Sequence, residues 1–173
     1  DKKVMPAMKV ERKCTIVARE EMGDAIYLVL NRNMGGALVV DGKVQQGSGI
    51  IEHMTLFPGG EPCYCGKTNC IESFLSGTGF ARRYGEQARA EAIVAAAQNG
   101  DPRALAHWRH FIDAFARSLA SVINILDPQV IVLGGGLSNL FGDNAVADLN
   151  AETSADSISK IAVSRIEPNP NQP

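Results

Sequence analysis

The chain lacks any run approaching the roughly 18 uninterrupted apolar residues that a membrane-spanning helix requires. It also lacks an excess of charge of either sign: 17 Lys and Arg face 19 Asp and Glu, a formal net charge of −2. That balance argues against nucleic acid held by bulk phosphate neutralisation and against a polybasic membrane surface. Asp1 to Pro6 carries neither the apolar stretch nor the small-residue cleavage site of a secretory signal. No internal repeat is visible. What is present is a 173-residue chain with 45% apolar and 21% charged residues, the mixture of a folded domain rather than a disordered one. A soluble, cytoplasmic protein without nucleic-acid or membrane partners is the expectation.

Cysteine is scarce and unevenly placed. Cys63, Cys65 and Cys70 fall within eight residues, and Cys14 lies far upstream. A disulfide framework spreads its cysteines over a small secreted chain, whereas clustered thiols in a chain of this kind more often hold a metal. Cys14 reads as a small apolar residue.

Residues 26–30 form a short apolar run that suits a buried strand. Gly35-Gly36 marks a turn before a second strand at 37–40, and Asp41-Gly42 is a hairpin signal leading to a third at 43–46. Residues 47–69 are rich in Gly, Pro and Cys and read as a long loop, a feature that is usually functional or tied down. A helix is expected from Cys70 through Ile71, Phe74 and Leu75, ended by Gly77 and Gly79, with further helical segments at 80–84 and 87–98. Asp101-Pro102 supplies an N-cap and a first-turn proline. The helix it starts carries Leu105, Trp108, Ile112, Phe115, Leu119, Val122 and Leu126 as one apolar stripe, and Asp127-Pro128 stops it. Val130 to Leu133 reads as a central strand running into Gly134-Gly135-Gly136. Residues 140–173, with five acids and two bases, read as a weakly structured acidic tail interrupted by a weak strand at 161–163.

The sharpest chemical signal is His53, nine residues, Cys63, one residue, Cys65, four residues, Cys70. Three thiolates and an imidazole are the ligand set of a closed, four-coordinate structural zinc site. Gly66 lets the chain bend around an ion, and Cys70 closes the site from the start of the next helix. The bland alternative is three reduced thiols and a hydrogen-bonded histidine, but a free cluster of thiols is an oxidation liability. Trp108 reads as core. His107 and His110 lack a carboxylate partner for a metal pair, and Arg82-Arg83 reads as a solvated helix face with a phosphate contact as its functional alternative.

Glu52-His53-Met54-Thr55-Leu56, followed by Pro62-Cys63-Tyr64-Cys65-Gly66-Lys67-Thr68-Asn69-Cys70-Ile71-Glu72, resembles the zinc signature of the ROK family of bacterial sugar kinases and sugar-responsive repressors. Asn69 stands where that pattern has glycine. Residues 73–80 resemble the fructokinase-like branch, and 124–138 are similar to the family's C-terminal nucleotide segment. The resemblance implies an α/β, actin-like ATPase fold, here the second RNase-H-like half of a ROK kinase with a zinc-pinned loop at 47–72. On that reading residues 26–139 are the domain and 1–25 a remnant or linker, with the N-terminal kinase domain missing. It further implies sugar contacts from Glu72 and His53, and nucleotide contacts from Gly134, Gly135, Gly136, Gly35 and Gly36. Structural zinc on His53, Cys63, Cys65 and Cys70 is implied as well, with ATP, magnesium and a hexose such as fructose or glucose as ligands, and a homodimer.

The chain departs from the family pattern where the chemistry lies. The D-x-G-G-T phosphate loop is absent, Lys13 stands at the place of the general-base aspartate, and Ile50 stands at that of a sugar-binding acid. A protonated lysine cannot accept the sugar's proton. The Gly-Thr-Gly turn is replaced by Asn31-Arg32-Asn33. An incomplete or degenerate sugar kinase is therefore expected, and phosphoryl transfer by this chain alone is not. The alternatives are a non-catalytic sugar-binding regulator, for which 1–25 offers no helix-turn-helix, and a zinc-stabilised oligomerisation domain. A nucleic-acid zinc finger is excluded, since Lys67 is the only base in 47–72.

Overall fold

The computed structural model describes residues 23–46, 51–55, 60–85, 87–140 and, as backbone, 160–163. Expectations for 1–22, including Lys13 and Cys14, for Ile50, and for 141–159 and 164–173 fall outside these residues.

Strand β1 (Ala25–Leu30) is buried along its whole length, as a strand covered on both faces must be. It pairs antiparallel with β2 (Met34–Val40), and β2 pairs with the short β3 (Lys43–Val44) across Asp41-Gly42. Both turn residues take positive φ, 51° and 71°, which matches the right-handed twist of a tight hairpin. On its other side β1 pairs in parallel with β4 (Val130–Gly134), which pairs in parallel with β5 (Lys160–Val163). The sheet order is β3-β2-β1-β4-β5.

Two expectations change here. The turn is Asn31–Asn33, and Gly35 and Gly36 lie inside β2 opposite Val29 and Leu28. Glycine read as a turn marker, but the ladder bonds to β1 override its weak strand preference. The weak strand at 161–163 also belongs to the sheet rather than to a loose tail. Parallel pairing with β4 gives its backbone groups the partners that its sequence pattern does not advertise.

Among the described residues, four α-helices cover one face of the sheet: α1 (Ile71–Leu75), α2 (Gly77–Tyr84), α3 (Ala90–Gln98) and α4 (Pro102–Leu126). Period-two alternation sends Ile26, Leu28 and Leu30 of β1 and Ile131 and Leu133 of β4 toward those helices. Ala25, Tyr27, Ala37 and Val39 cluster on the opposite face. The long helix starts as its sequence dictates, with the Asp101 carboxylate accepting the Ala104 N–H at 2.7 Å and Pro102 in the first turn. Its buried face is carried by Ala104, Phe111, Phe115, Leu119, Val122 and Ile123, whereas Leu105 and Trp108 are half-buried and Leu126 is exposed. A strict three-four spacing drifts around a straight helix over 25 residues, so the read stripe leaves the core at both ends. Trp108 stacks on Phe111 with centroids 5.4 Å apart, which accounts for it as part of the apolar layer.

The expected break at Gly77 and Gly79 falls instead at Ser76, the N-cap of α2, whose hydroxyl accepts the Gly79 N–H at 3.0 Å. Gly79 sits inside α2 because a Cβ there would overlap the Ser73 carbonyl of α1. Among the described residues no helix is long and apolar enough to cross a membrane.

Candidate metal centre and ligand clefts

The loop after β3 enters a single 3-10 turn, Ile51–His53, that delivers His53. A small ribbon follows. Pro62 bridges Thr68, the Cys63 N–H donates to the Lys67 carbonyl at 2.8 Å, and Gly66 turns the chain at φ 88°. Asn69, the departure from the family glycine, adopts φ 52°, a left-handed geometry open to asparagine as well as glycine. Its side-chain oxygen also accepts the Glu61 N–H at 2.8 Å, a bond glycine could not make. Cys70 is fully buried at the N-cap of α1, and its backbone bridges Thr55.

These elements bring His53, Cys63, Cys65 and Cys70 together, with their ligand atoms all within 4.8 Å of one another. Cys63 Sγ is 3.6 Å from His53 Nδ1, and Cys65 Sγ is 3.5 Å from Cys70 Sγ. The sulfur pair is far too long for a disulfide, whose S–S bond is about 2.05 Å. Two sulfurs about 2.3 Å from one tetrahedral ion lie about 3.8 Å apart, so the donor set fits a single zinc. Four ligands leave no open position, which makes such an ion structural. Burial raises the Cys63 thiol and pushes Cys70 up to about 12, while the Lys67 backbone N–H lowers Cys65. Metal binding must therefore displace the proton of the buried Cys70 thiol. Among the described residues this is the one cluster of three or more metal-ligating side chains. His107 does not join His110 in a second. Its Nε2 lies 2.8 Å from the Phe80 carbonyl, and His110 packs edge-on against Phe74.

Glu72 stands in the first turn of α1, 4% exposed. Its Oε1 accepts the Met34 N–H at 3.2 Å, and its Oε2 lies 3.8 Å from His53 Nδ1. The two sequence-predicted sugar contacts thus share one corner, beside the cysteine cluster. Tyr64, 68% exposed, packs edge-on against the His53 ring at 5.1 Å, and partial desolvation of its phenol together with the neighbouring Glu72 carboxylate shifts the hydroxyl upward. Sequence reasoning missed Glu52, which is 3% exposed with a carboxyl pushed up to about 7, mainly by burial. Its signal was an acid inside the apolar pair Ile51 and Met54.

A cavity of about 720 Å³ opens at the C-terminal ends of β1 and β4, where ligands of open α/β sheets bind. Gly136, Asn31, Arg32, Gly77, Thr78 and Arg82 are among its lining residues. Of the five glycines expected to meet a nucleotide, only Gly136 lines it. Gly134 ends β4, Gly135 packs on the Leu30 carbonyl, and Gly35 and Gly36 are ladder residues of β2. Asn31, also unforeseen, ties the cleft together. Its Oδ1 accepts the Gly136 N–H at 2.6 Å, and its carbonyl accepts the Gly77 N–H at 2.7 Å. The Arg82-Arg83 pair splits. Arg82 pairs with Glu61 at 2.7 Å, while Arg83 lies 3.3 Å over the Phe74 ring and is lowered to about 10 by burial. Arg83 is therefore not part of a solvated face.

The sheet order and the solved structures it matches define an actin-like ATPase domain. A ROK hexokinase from Thermus thermophilus superposes with a TM-score of 0.74 at 25% identity, over 83% of this chain and 52% of that one. A ROK family glucokinase from Streptomyces griseus, in complex with glucose and AMPPNP, gives 0.72 at 20% identity, over 83% and 56%. A ROK family transcriptional regulator, homologue of the E. coli MLC protein, gives 0.73 at 22% identity, over 93% and 46%. The chain belongs to the ROK family, which it matches over residues 13–169. An N-acetyl-D-glucosamine kinase from Vibrio cholerae is 36% identical over 159 residues, 77% of this chain and 53% of that protein. The chain spans about half the length of the curated relatives it matches. Those relatives are N-acetyl-D-glucosamine kinases, which corrects the fructokinase-like branch read from 73–80. That segment is set by packing, through the Ser76 cap, the close approach of Gly79 and the buried Phe80, so it carries little information about the sugar.

Proposed function

We propose that this chain supplies the zinc-clasped half of a ROK sugar kinase, which transfers the γ-phosphoryl group of ATP to a hexose hydroxyl. The supporting observation is Glu72, a buried carboxylate with one oxygen fixed by Met34 N–H and the other beside His53 and lacking a hydrogen-bond partner among the described residues. Such a carboxylate can accept from adjacent hydroxyls. His53 would be shared, its ring oriented by zinc on His53, Cys63, Cys65 and Cys70. Zinc, when bound, supplies rigidity rather than a reactive water. The nucleotide would occupy the cleft between Asn31-Arg32 and Gly136, with magnesium neutralising its phosphates. N-acetyl-D-glucosamine is the favoured hexose because the curated relatives act on it by name. A homodimer and a cytoplasmic location belong to the same proposal.

One observation favours a second reading, a member that binds sugar without transferring phosphate. The N–H of Gly136, which lines the cavity, is already taken by the Asn31 side chain. Isothermal titration of the zinc-loaded chain separates the readings. A kinase half binds N-acetyl-D-glucosamine and ATP, one equivalent each, and Glu72→Gln removes the sugar heat while keeping the ATP heat. Sugar binding without ATP binding supports the sensor. Absence of both overturns the proposal and leaves a scaffold.

A further inference from the structure

Arg32, Arg82 and Arg89 line the cavity at the ends of β1 and β4. Arg82 is committed to the Glu61 carboxylate at 2.7 Å, and Arg89 Nε lies 3.9 Å from Glu91, the acid of the same lining. Arg32, exposed in the turn between β1 and β2, makes no side-chain hydrogen bond or ion pair among the described residues. The backbone donors around it are already spent. The Asn31 N–H donates to the Asn33 carbonyl at 2.9 Å, the Gly77 N–H to the Asn31 carbonyl at 2.7 Å and the Thr78 N–H to the Arg32 carbonyl at 3.1 Å. The Gly136 N–H donates to Asn31 Oδ1 at 2.6 Å, and the Leu137 N–H to the Leu30 carbonyl at 2.9 Å. The ROK resemblance places Gly-Thr-Gly at this turn, and glycine lets a backbone approach a ligand closely. Here Asn31 and Asn33 carry side chains instead, and that of Asn31 closes the gap to Gly136. An anion entering this cavity meets a guanidinium where the family turn offers a bare backbone.

We infer that Arg32 binds the phosphate chain of the nucleotide in this cleft, its side chain standing in for the backbone donors of the family turn. The inference rests on the nucleotide reading above and adds a residue that the Gly-Thr-Gly pattern does not contain. A guanidinium is planar, permanently charged and offers paired donors that match two phosphate oxygens at once. Charge singles out Arg32, since the other two arginines of the lining each have a carboxylate nearby. Geometry holds its backbone ready. The Arg32 carbonyl is tied to α2 through Thr78, and the preceding Asn31 is tied to both α2 and Gly136. Binding therefore has only the side chain of Arg32 to order, not its turn. Ala81, Leu137 and Leu140 give the same cavity apolar surface for a base.

The test is titration of ATP, ADP, adenosine and N-acetyl-D-glucosamine 6-phosphate into zinc-loaded wild type, Arg32→Gln and Arg32→Lys. Loss of a hydrogen bond to a charged group weakens binding about 10-fold. That loss is expected for ATP and ADP in Arg32→Gln, with adenosine binding unchanged. Arg32→Lys should recover part of it, restoring the charge without the fork. Added salt should weaken ATP binding more steeply in wild type than in Arg32→Gln, because an exposed cation is screened. Independently of any variant, ATP should shift the side-chain Nε–H signal of Arg32 in the ¹⁵N-arginine-labelled chain, and adenosine should leave it in place. Equal ATP affinity in wild type and Arg32→Gln, with an unmoved Arg32 signal, overturns the inference and leaves the nucleotide reading intact. An equal loss for ATP and adenosine makes Arg32 a structural residue of the turn and also overturns it. Binding of the sugar phosphate that requires Arg32, without ATP binding, assigns the guanidinium to another anion and overturns both. Wild type that binds neither ATP nor adenosine overturns the nucleotide reading and the inference with it.

Discussion

Stripping the metal with a strong chelator is expected to lower the melting temperature by more than about 10 °C and to expose three additional reactive thiols. Structural zinc sites contribute about 10–16 kcal/mol of apparent binding free energy, comparable with the whole stability of a domain, about 5–15 kcal/mol. Part of that loss is confined to the ribbon at 61–69, so the chain melts early rather than failing to fold. For a domain of this size about 1 kcal/mol corresponds to roughly 2–4 °C. Apart from the ion, the described ribbon is held largely by bonds between its own two arms, such as Cys63 N–H to the Lys67 carbonyl and Asn69 N–H to the Glu61 carbonyl, and Cys65 is exposed. Without the ion, Cys70 keeps its thiol proton in a buried N-cap position and the His53 turn loses its anchor. Calorimetry and thiol titration before and after chelation check both parts. An unchanged melting temperature, or thiols equally reactive in both states, excludes a structural zinc.

Gly135→Ala is expected to cost about 3 kcal/mol and to weaken ATP binding in parallel. Gly135 adopts φ 99°, which disfavours any side chain by about 1–2 kcal/mol. A Cβ there would also lie 2.5 Å from the Leu30 carbonyl oxygen and 2.9 Å from the Leu30 nitrogen. Neither neighbour can withdraw. Leu30 is paired with Met34 at the end of β1, and its carbonyl accepts the Leu137 N–H at 2.9 Å. The Ser138 hydroxyl holds the Gly135 carbonyl at 2.7 Å. Overpacking of that kind adds about 1–3 kcal/mol, and the resulting shift pulls Gly136 from Asn31 and deforms the cleft. Gly100→Ala is the control. Its φ of 85° carries the same backbone penalty, but nothing lies within 4 Å of its Cβ. Denaturant melts should show Gly135→Ala losing clearly more stability than Gly100→Ala, and equal losses would contradict the packing argument.

Legibility in the sequence followed how local each signal was. Asp41-Gly42 and Asp101-Pro102 are short-range devices whose chemistry fixes the backbone without help, and both act as read. The cysteine spacing likewise brought its four side chains together, because short-range bonds close the ribbon and the Ile71 N–H, donating to the Met54 carbonyl, ties the His53 turn to it. Features that depend on distant partners were hidden. The strand at 161–163 was legible, but its place beside β4 was not, and Gly35-Gly36 lie in β2 because β1 holds them. The break at Ser76 depends on Gly79 meeting Ser73, and Asn31 becomes a clasp only when Gly136, 105 positions away, folds against it. Glu52 and Arg83 look like surface charges in a one-dimensional reading, and burial alone makes them informative.

In the proposed reading the clasp and the sugar-binding corner are one object. His53 belongs to both, and Glu72 follows Cys70 by two residues at the start of α1, so an ion that fixes the cysteines fixes the carboxylate. X-ray absorption at the zinc edge, recorded on the purified chain with and without N-acetyl-D-glucosamine, probes that arrangement most directly. One zinc per chain is expected, with three sulfurs at about 2.3 Å and one nitrogen at about 2.0–2.1 Å, in a shell that sugar leaves unchanged. No zinc, a shell of oxygen and nitrogen alone, or a ligand exchanged for sugar oxygen would contradict it.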